Sequence, residues 1–311
     1  MDPMNVITLG VHVLDVHVRP VESVPDGSEG QIVDEIRMSP AGTAGGTGLV
    51  LAKLGARVRC FGAVGADPLG DTLVAMLTAA GLDTTHLVRK PMGQTSASVL
   101  PIRPNGDRPA WHCIGANGLY TLDDVDLGAL ASASHLHLGG PEFLGGEAAG
   151  RILAAAREAG AVTSADLLAP GDPGILEWVA DALPHLDYLL PNEDQVLGLT
   201  GADTLEDGAR RLLAHGVGCV AVTRGARGAL VVTEDECVEV PAFDVDVVDT
   251  TGCGDAFSAG FLRARWEGRS LREAGVYGAA TAAHVVQGLG TDHGEYDEEV
   301  VAAFVSAPPG C

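Results

Sequence analysis

The chain has 311 residues, 46% of them hydrophobic, and a formal net charge of −23. Its length allows one large domain or two smaller ones, and 42 glycines against 4% aromatic residues suit an α/β chain packed through small side chains. The acidity argues against nucleic acid as a partner, because nothing offsets phosphate repulsion, and no run of 18 apolar residues reads as a membrane span.

Cysteines at 60, 113, 219, 237, 253 and 311 are scattered, with no C-x-x-C and no Cys/His zinc spacing. Met1-Asp2-Pro3-Met4-Asn5 lacks a basic n-region, so the thiols read as reduced and the protein as cytoplasmic.

Residues 6–10 form a short buried-strand pattern, and 11–18 then alternate as a half-covered strand does. Pro20, Pro25, Gly27 and Gly30 mark turns before 31–38 alternate again. With no helix between them, these segments predict a small β element inserted into an α/β frame. Residues 41–48 are a glycine-dense loop opening a helix over 49–54, which Gly55 ends. A strand is predicted over 58–64 and a helix over 71–80. Extended segments over 95–111 flank Pro104-Asn105-Gly106-Asp107, a hairpin signal.

The rhythm then becomes regular. Strands are predicted over 135–138, 162–166, 188–190 and 219–223, and helices over 147–159, 175–182 and 204–215. A hairpin over 230–232 and 238–240 follows, and the last helix covers 271–286. Such alternation predicts a parallel sheet covered by helices, with ligands at the loops after strand C-termini.

The stretch Asp249-Thr250-Thr251-Gly252-Cys253-Gly254-Asp255 has a strand-like pattern before it, at 243–248, and a helical one after it, at 256–266. Strand, glycine turn and helix together make an anion site, because first-turn N–H groups have no intrahelical partner. Asp255 at that helix start would repel a phosphate. It can serve instead as base for a hydroxyl attacking a phosphorus held by those N–H groups. Taken alone, the same residues also describe a turn whose last Asp caps a helix. Histidines 12, 17, 112, 284 and 293 lack ligand spacing and read as core or surface residues.

Other motifs stand in order along the chain. They are the glycine loop 42–48 with Leu54-Gly55, then Gly62-Ala63-Val64-Gly65-Ala66-Asp67-Pro68-Leu69-Gly70, Pro191-Asn192-Glu193-Asp194, and Thr223-Arg224-Gly225-Ala226-Arg227-Gly228. With residues 249–257 they make the chain, over about 6–305, resemble the ribokinase-like carbohydrate kinases of the phosphofructokinase-B type. The resemblance implies a doubly wound, mostly parallel sheet with helices on both faces. It also implies a single kinase domain over 1–311, with a small β lid from about 11–40 and 95–113. The implied reaction moves the γ-phosphoryl of ATP, with Mg²⁺, to a primary hydroxyl of a sugar. A nucleoside acceptor, or a non-catalytic sugar or nucleotide sensor on the same fold, stands as the alternative. A homodimer through the lid is implied as well.

Residue by residue, the resemblance makes Asp255 the catalytic base and Gly252, Cys253 and Gly254 the anion hole, with Cys253 acting through its N–H. Asp15, Gly42, Thr43 and Gly46 fall at the substrate, and Glu142, after a strand C-terminus, is placed to reach it. Thr223, Gly225 and Gly228 shape the nucleotide site. Asn192 lies near the Mg²⁺–phosphate group, and Glu193 can reach Mg²⁺-bound water. Asp249 and Thr251, with 286–293, resemble a monovalent-cation site for K⁺.

Two departures stand out. Gln195 occupies a position usually held by Glu, and a neutral amide attracts hydrated Mg²⁺ less than a carboxylate does. Val13 and Gly46 replace Asn residues, and an unpaired sugar hydroxyl costs on the order of 1–3 kcal/mol, which turns the pocket toward a less hydroxylated acceptor.

Overall fold

The computed structural model describes residues 3–306. Strand β1 (Asn5–Gly10) opens a nine-stranded sheet. The chain leaves it for β2 (Val13–Arg19) and β3 (Glu35–Ala41), and returns through α1 (Gly45–Lys53) to β4 (Arg57–Gly65). Helix α2 (Pro68–Ala79) leads to β5 (Asp83–Lys90), and a second excursion gives β6 (Ala97–Pro101) and β7 (Trp111–Cys113). Next come β8 (His135–Gly139), α3 (Pro141–Leu144), α4 (Gly146–Glu158), β9 (Val162–Asp166), α5 (Pro173–Val179) and β10 (Tyr188–Leu189). Helices α6 (Glu193–Thr200) and α7 (Leu205–Ala214) precede β11 (Cys219–Thr223) and the hairpin β12 (Ala229–Val232) and β13 (Cys237–Val240). Helices α8 (Cys253–Trp266), α9 (Leu271–Val285) and α10 (Glu298–Ser306) close the fold.

The large sheet runs β13-β12-β11-β10-β9-β8-β1-β4-β5, parallel except at β11–β12 and β12–β13. β1 pairs with β4 on one side and β8 on the other, so the winding reverses there and opens a crevice beyond the strand C-termini. Alternate side chains feed two cores. In β11, Cys219 and Ala221 join α8 and α9, whereas Val220 and Val222 face the layer of α4 and α7. This is the expected doubly wound architecture.

Sheet β3-β2-β6-β7 forms the lid. Its register puts Met38, Val16, Val99 and Trp111 in one cross-strand row, and Ser39, Asp15, Ser98 and His112 in the next. Side chains of adjacent rows point to opposite faces. The first row is apolar and largely exposed, with Trp111 57% open. The second faces the large sheet.

Several boundaries differ from the sequence reading. Helix α1 starts at Gly45 rather than 49, because its glycines let it lie close on the sheet, where a Cβ at Gly48 would press on Thr8 and Val58. β3 begins at Glu35, and Ile32, part of the alternation over 31–38, is 97% exposed. β5 was not expected, its sequence being mostly polar at a sheet edge. Residues 243–248 form no strand. The N–H groups of Val248 and Asp249 bond to the Val286 carbonyl at 2.9 and 3.2 Å instead. The turn at 104–107 does join an antiparallel pair, β6 and β7, through a longer loop than Asn-Gly alone suggests.

Candidate active site

A cleft of about 430 Å³ lies between the lid and the C-terminal ends of the large sheet. That volume suits a small-molecule ligand. Of the residues singled out in the sequence, Val13, Asp15, Gly42, Thr43, Asn192, Gln195, Thr223, Thr251, Gly252, Gly254 and Asp255 line it.

Asp255 sits in the first turn of α8. Gly252 is the residue before that helix, with φ +75°, and a Cβ there would strike Thr291. Only glycine adopts this backbone without strain, so the chain can turn sharply and present its bare N–H groups to the cleft. Gly46, in α1, is packed beneath Asp255, where any Cβ would collide with the carboxylate. Burial pushes the Asp255 carboxyl up to about 7, and the nearby Asp15 adds to the rise while Arg108 opposes it. A carboxyl tuned there is poised to take a proton near neutral pH.

Two more carboxyls share the cleft. Burial raises Asp15, with a hydrogen bond from Ser98 opposing. Asp166, at the C-terminus of β9, is raised well above the usual carboxylate range by burial and then by Asp255. Its Oδ1 accepts from the Leu167 N–H at 2.7 Å. Like charges this close titrate at different pH values, and that separates their roles.

At the opposite end Asn192 and Thr223 are joined by a parallel bridge. Asn192 Oδ1 accepts from the Gln195 N–H at 2.8 Å, and Gln195 Oε1 accepts from the Asn192 N–H at 2.9 Å. This reciprocal cap starts α6. Gln195 Nε2 also donates to the carbonyls of Leu167 and Ala169 at 2.9 and 3.0 Å. An ionised Glu could make neither bond. The amide therefore braces the cleft wall formed by Leu167 and Leu168.

A family model described as pfkB family carbohydrate kinase matches residues 9–297. The chain belongs to the pfkB family of carbohydrate kinases. It is 28% identical over 295 residues to a deoxyribokinase of Salmonella typhi, covering 93% of this chain and 94% of that one. It is 31% identical over 285 residues to an ATP-dependent ribose-1-phosphate kinase of Halopiger xanaduensis, covering 90% and 92%. A crystal structure of a putative ribokinase II from E. coli in complex with ATP and Mg²⁺ superposes with a TM-score of 0.85 at 24% identity, over 97% of this chain and 99% of that one.

The remaining sequence-derived positions of this kinase do not line the cleft. Glu142 Oε1 accepts from the N–H groups of Leu168 and Ala169, both at 2.7 Å, and so steadies the wall rather than facing the pocket. Gly225 and Gly228 form the turn between β11 and β12 with φ of +55° and +81°. Glu193 is ion-paired to Arg227. Burial pushes the Cys253 thiol up to about 12, so it stays protonated and its N–H is the useful group.

Asp249 is saturated. Oδ1 accepts from Thr251 N and Oγ1 at 2.9 and 2.6 Å; Oδ2 accepts from Gly290 N at 3.0 Å and lies 3.2 Å from His17 Nδ1 on the lid. Burial opposes its ionisation, yet bonds from His17 and Thr251 outweigh it and hold the carboxyl at about 2. The Asp249 carboxylate is thus fully engaged with its neighbours, whereas the K⁺ site expected around Asp249 and Thr251 would be formed largely by backbone carbonyls, which these side-chain bonds leave free to serve.

The sequence reading missed Ser98, Arg108 and Asp166 and took His112 for a core or surface residue, whereas all four line the cleft. Asp166 carried a usable signal, an acid ending a buried strand. The lid residues carried one only in combination with a strand register.

Proposed function

We propose that this kinase transfers the γ-phosphoryl of ATP to a primary hydroxyl of a sugar. The observation that carries this reading is the placement of Asp255 beside the open first turn of α8, across one cleft from Asp15 of the lid. Asp255 takes the proton of the attacking hydroxyl. The N–H groups of 252–254 hold the charge that develops on the transferring phosphoryl. Asp15, Thr43 and Ser98 line the acceptor end and can bond hydroxyls, and Asn192 and Thr223 mark the nucleotide end.

Among the described residues no group of three or more His, Cys, Asp or Glu could hold a metal. Mg²⁺ would then be held chiefly by nucleotide phosphates and water, as is usual for this ion, and would neutralise phosphate charge. A structural neighbour from E. coli is a complex with ATP and Mg²⁺, which supports these two as ligands of this cleft. Excluding water from the cleft would limit wasteful hydrolysis, and the lid is placed to do so.

The apolar row Met38, Val16, Val99 and Trp111 supports pairing of two lids in a homodimer. Among the described residues no helix is long and apolar enough to cross a membrane.

A nucleoside acceptor is the second reading, favoured by Val13 and Leu100 in the cleft wall. The case for a sensor rested on Gln195, and the bracing role of that amide removes the motive. An ADP-release assay over sugars and nucleosides with ATP and Mg²⁺ tests the proposal. Turnover of sugars supports it; turnover of nucleosides alone, or of nothing, overturns it.

A further inference from the structure

We infer that the acceptor carries an anionic substituent, a phosphate ester or a carboxylate, and that Arg108 binds it; this rests on the kinase reading above. Arg108 is the one Lys or Arg among the residues lining the cleft. Its Nε is shielded from water and has no hydrogen-bond partner. Asp15 and Asp255 feel its charge, yet among the described residues no carboxylate is ion-paired to it. In a chain of net charge −23, a cation left without a counter-ion inside a ligand cleft is unusual.

The position points to the acceptor rather than the nucleotide. Arg108 lies in the loop joining β6 and β7, between Ser98 and His112 of the lid's polar row. Ser98 and His112 are bonded to each other at 2.9 Å. The loop is seated on the main domain, where a Cβ at Gly106 would lie 2.9 Å from Val247 Cγ1. The nucleotide-end residues Asn192 and Thr223 belong to the other sheet.

The chemistry points the same way. A neutral polyol hydroxyl accepts a bond from a guanidinium but leaves the charge of a half-buried Arg108, whose Nε is shut off from water, unmatched. A phosphate or carboxylate presents paired oxygens to the planar fork and neutralises it. The losses of amide at Val13 and Gly46 fit this too, since an acceptor anchored by charge needs fewer partners for its hydroxyls.

The test compares full-length enzyme with ATP and Mg²⁺ on ribose, ribose 1-phosphate, fructose, fructose 1-phosphate, glucose and gluconate, with nucleosides as controls. At least one anionic sugar is expected to exceed its neutral parent at least 100-fold in kcat/KM. In Arg108→Gln that ratio should fall at least 30-fold, mainly through KM, with partial recovery in Arg108→Lys. The phosphate and carboxylate arms identify the group. A thermal shift with the preferred sugar and no ATP, present in the wild type and lost in Arg108→Gln, reads binding directly, and the unliganded Tm reports whether the variant folds. Preference for the neutral parents overturns the inference and leaves the sugar-kinase reading standing. Equal loss of kcat on charged and neutral acceptors also overturns it, placing the guanidinium on the transferring phosphoryl. Turnover of no acceptor at all defeats the kinase reading itself.

Discussion

Replacing Asp255 by Asn is expected to abolish turnover and, above about pH 5, to make the protein more stable. The folded carboxyl ionises near 7, against 3.8 for the ordinary group. Between those values the native state holds a proton that the unfolded chain has released. Stability therefore falls as pH rises through that window and levels off above about 7. At 1.36 kcal/mol per unit, the shift of about 3 units would cost about 4 kcal/mol at pH 8 if it were felt in full. The cleft lets some water reach the carboxylate, so about 2 kcal/mol is the gain to look for in Asp255→Asn at pH 8, shrinking toward zero near pH 4. Urea unfolding of both proteins at pH 5 and pH 8 measures that gap. The same ionisation sets activity: kcat/KM of the wild type should rise about tenfold per unit below about pH 7 and then flatten. Equal stabilities at pH 8, or residual activity near wild type in the variant, would refute a buried base at this position.

Gly46→Ala drives a methyl into the Asp255 carboxylate, so kcat should drop at least about tenfold while Tm changes little; unchanged kcat in steady-state assays would rule out that close packing. Gln195→Glu puts an acceptor against the carbonyls of Leu167 and Ala169 and should destabilise by about 2–3 kcal/mol in urea unfolding. The loss should be larger at pH 8 than at pH 5, where a protonated carboxyl regains one donor; wild-type stability would dismiss the brace. Trp111→Glu with Met38→Glu should convert a dimer to a monomer by light scattering. A wild type already monomeric at tens of micromolar would dispose of lid pairing.

The motif residues and the β–α rhythm were legible because they are local. Gly252 through Asp255 declare a glycine turn into a helix, and β11 fell on the predicted residues 219–223 because a buried apolar run needs no partner to be seen. Alternation alone misled at 243–248, where every second residue is apolar but no strand edge is available, and Val247 is left half exposed. Gly46, Gln195 and Glu142 were noticed for the wrong neighbours. Each was read by its place along the chain, whereas its function is set by what lies across from it: the Asp255 carboxylate, two carbonyls, and two N–H groups. Arg108 was invisible for the same reason, since a loop cation carries no periodicity to say which way it turns.

The two rows of the lid alternate along the same four strands, so odd and even positions answer to different demands. On the proposed reading, changes at Ser98 or His112 would retune which metabolite is chosen without disturbing the outward surface, and changes at Val99 or Trp111 would alter the proposed lid pairing without touching selectivity. A single-residue insertion in β2 would turn its following side chains to the opposite face, out of step with the rows kept by β3, β6 and β7. Drift in this sheet should therefore proceed by substitution, with its length held constant.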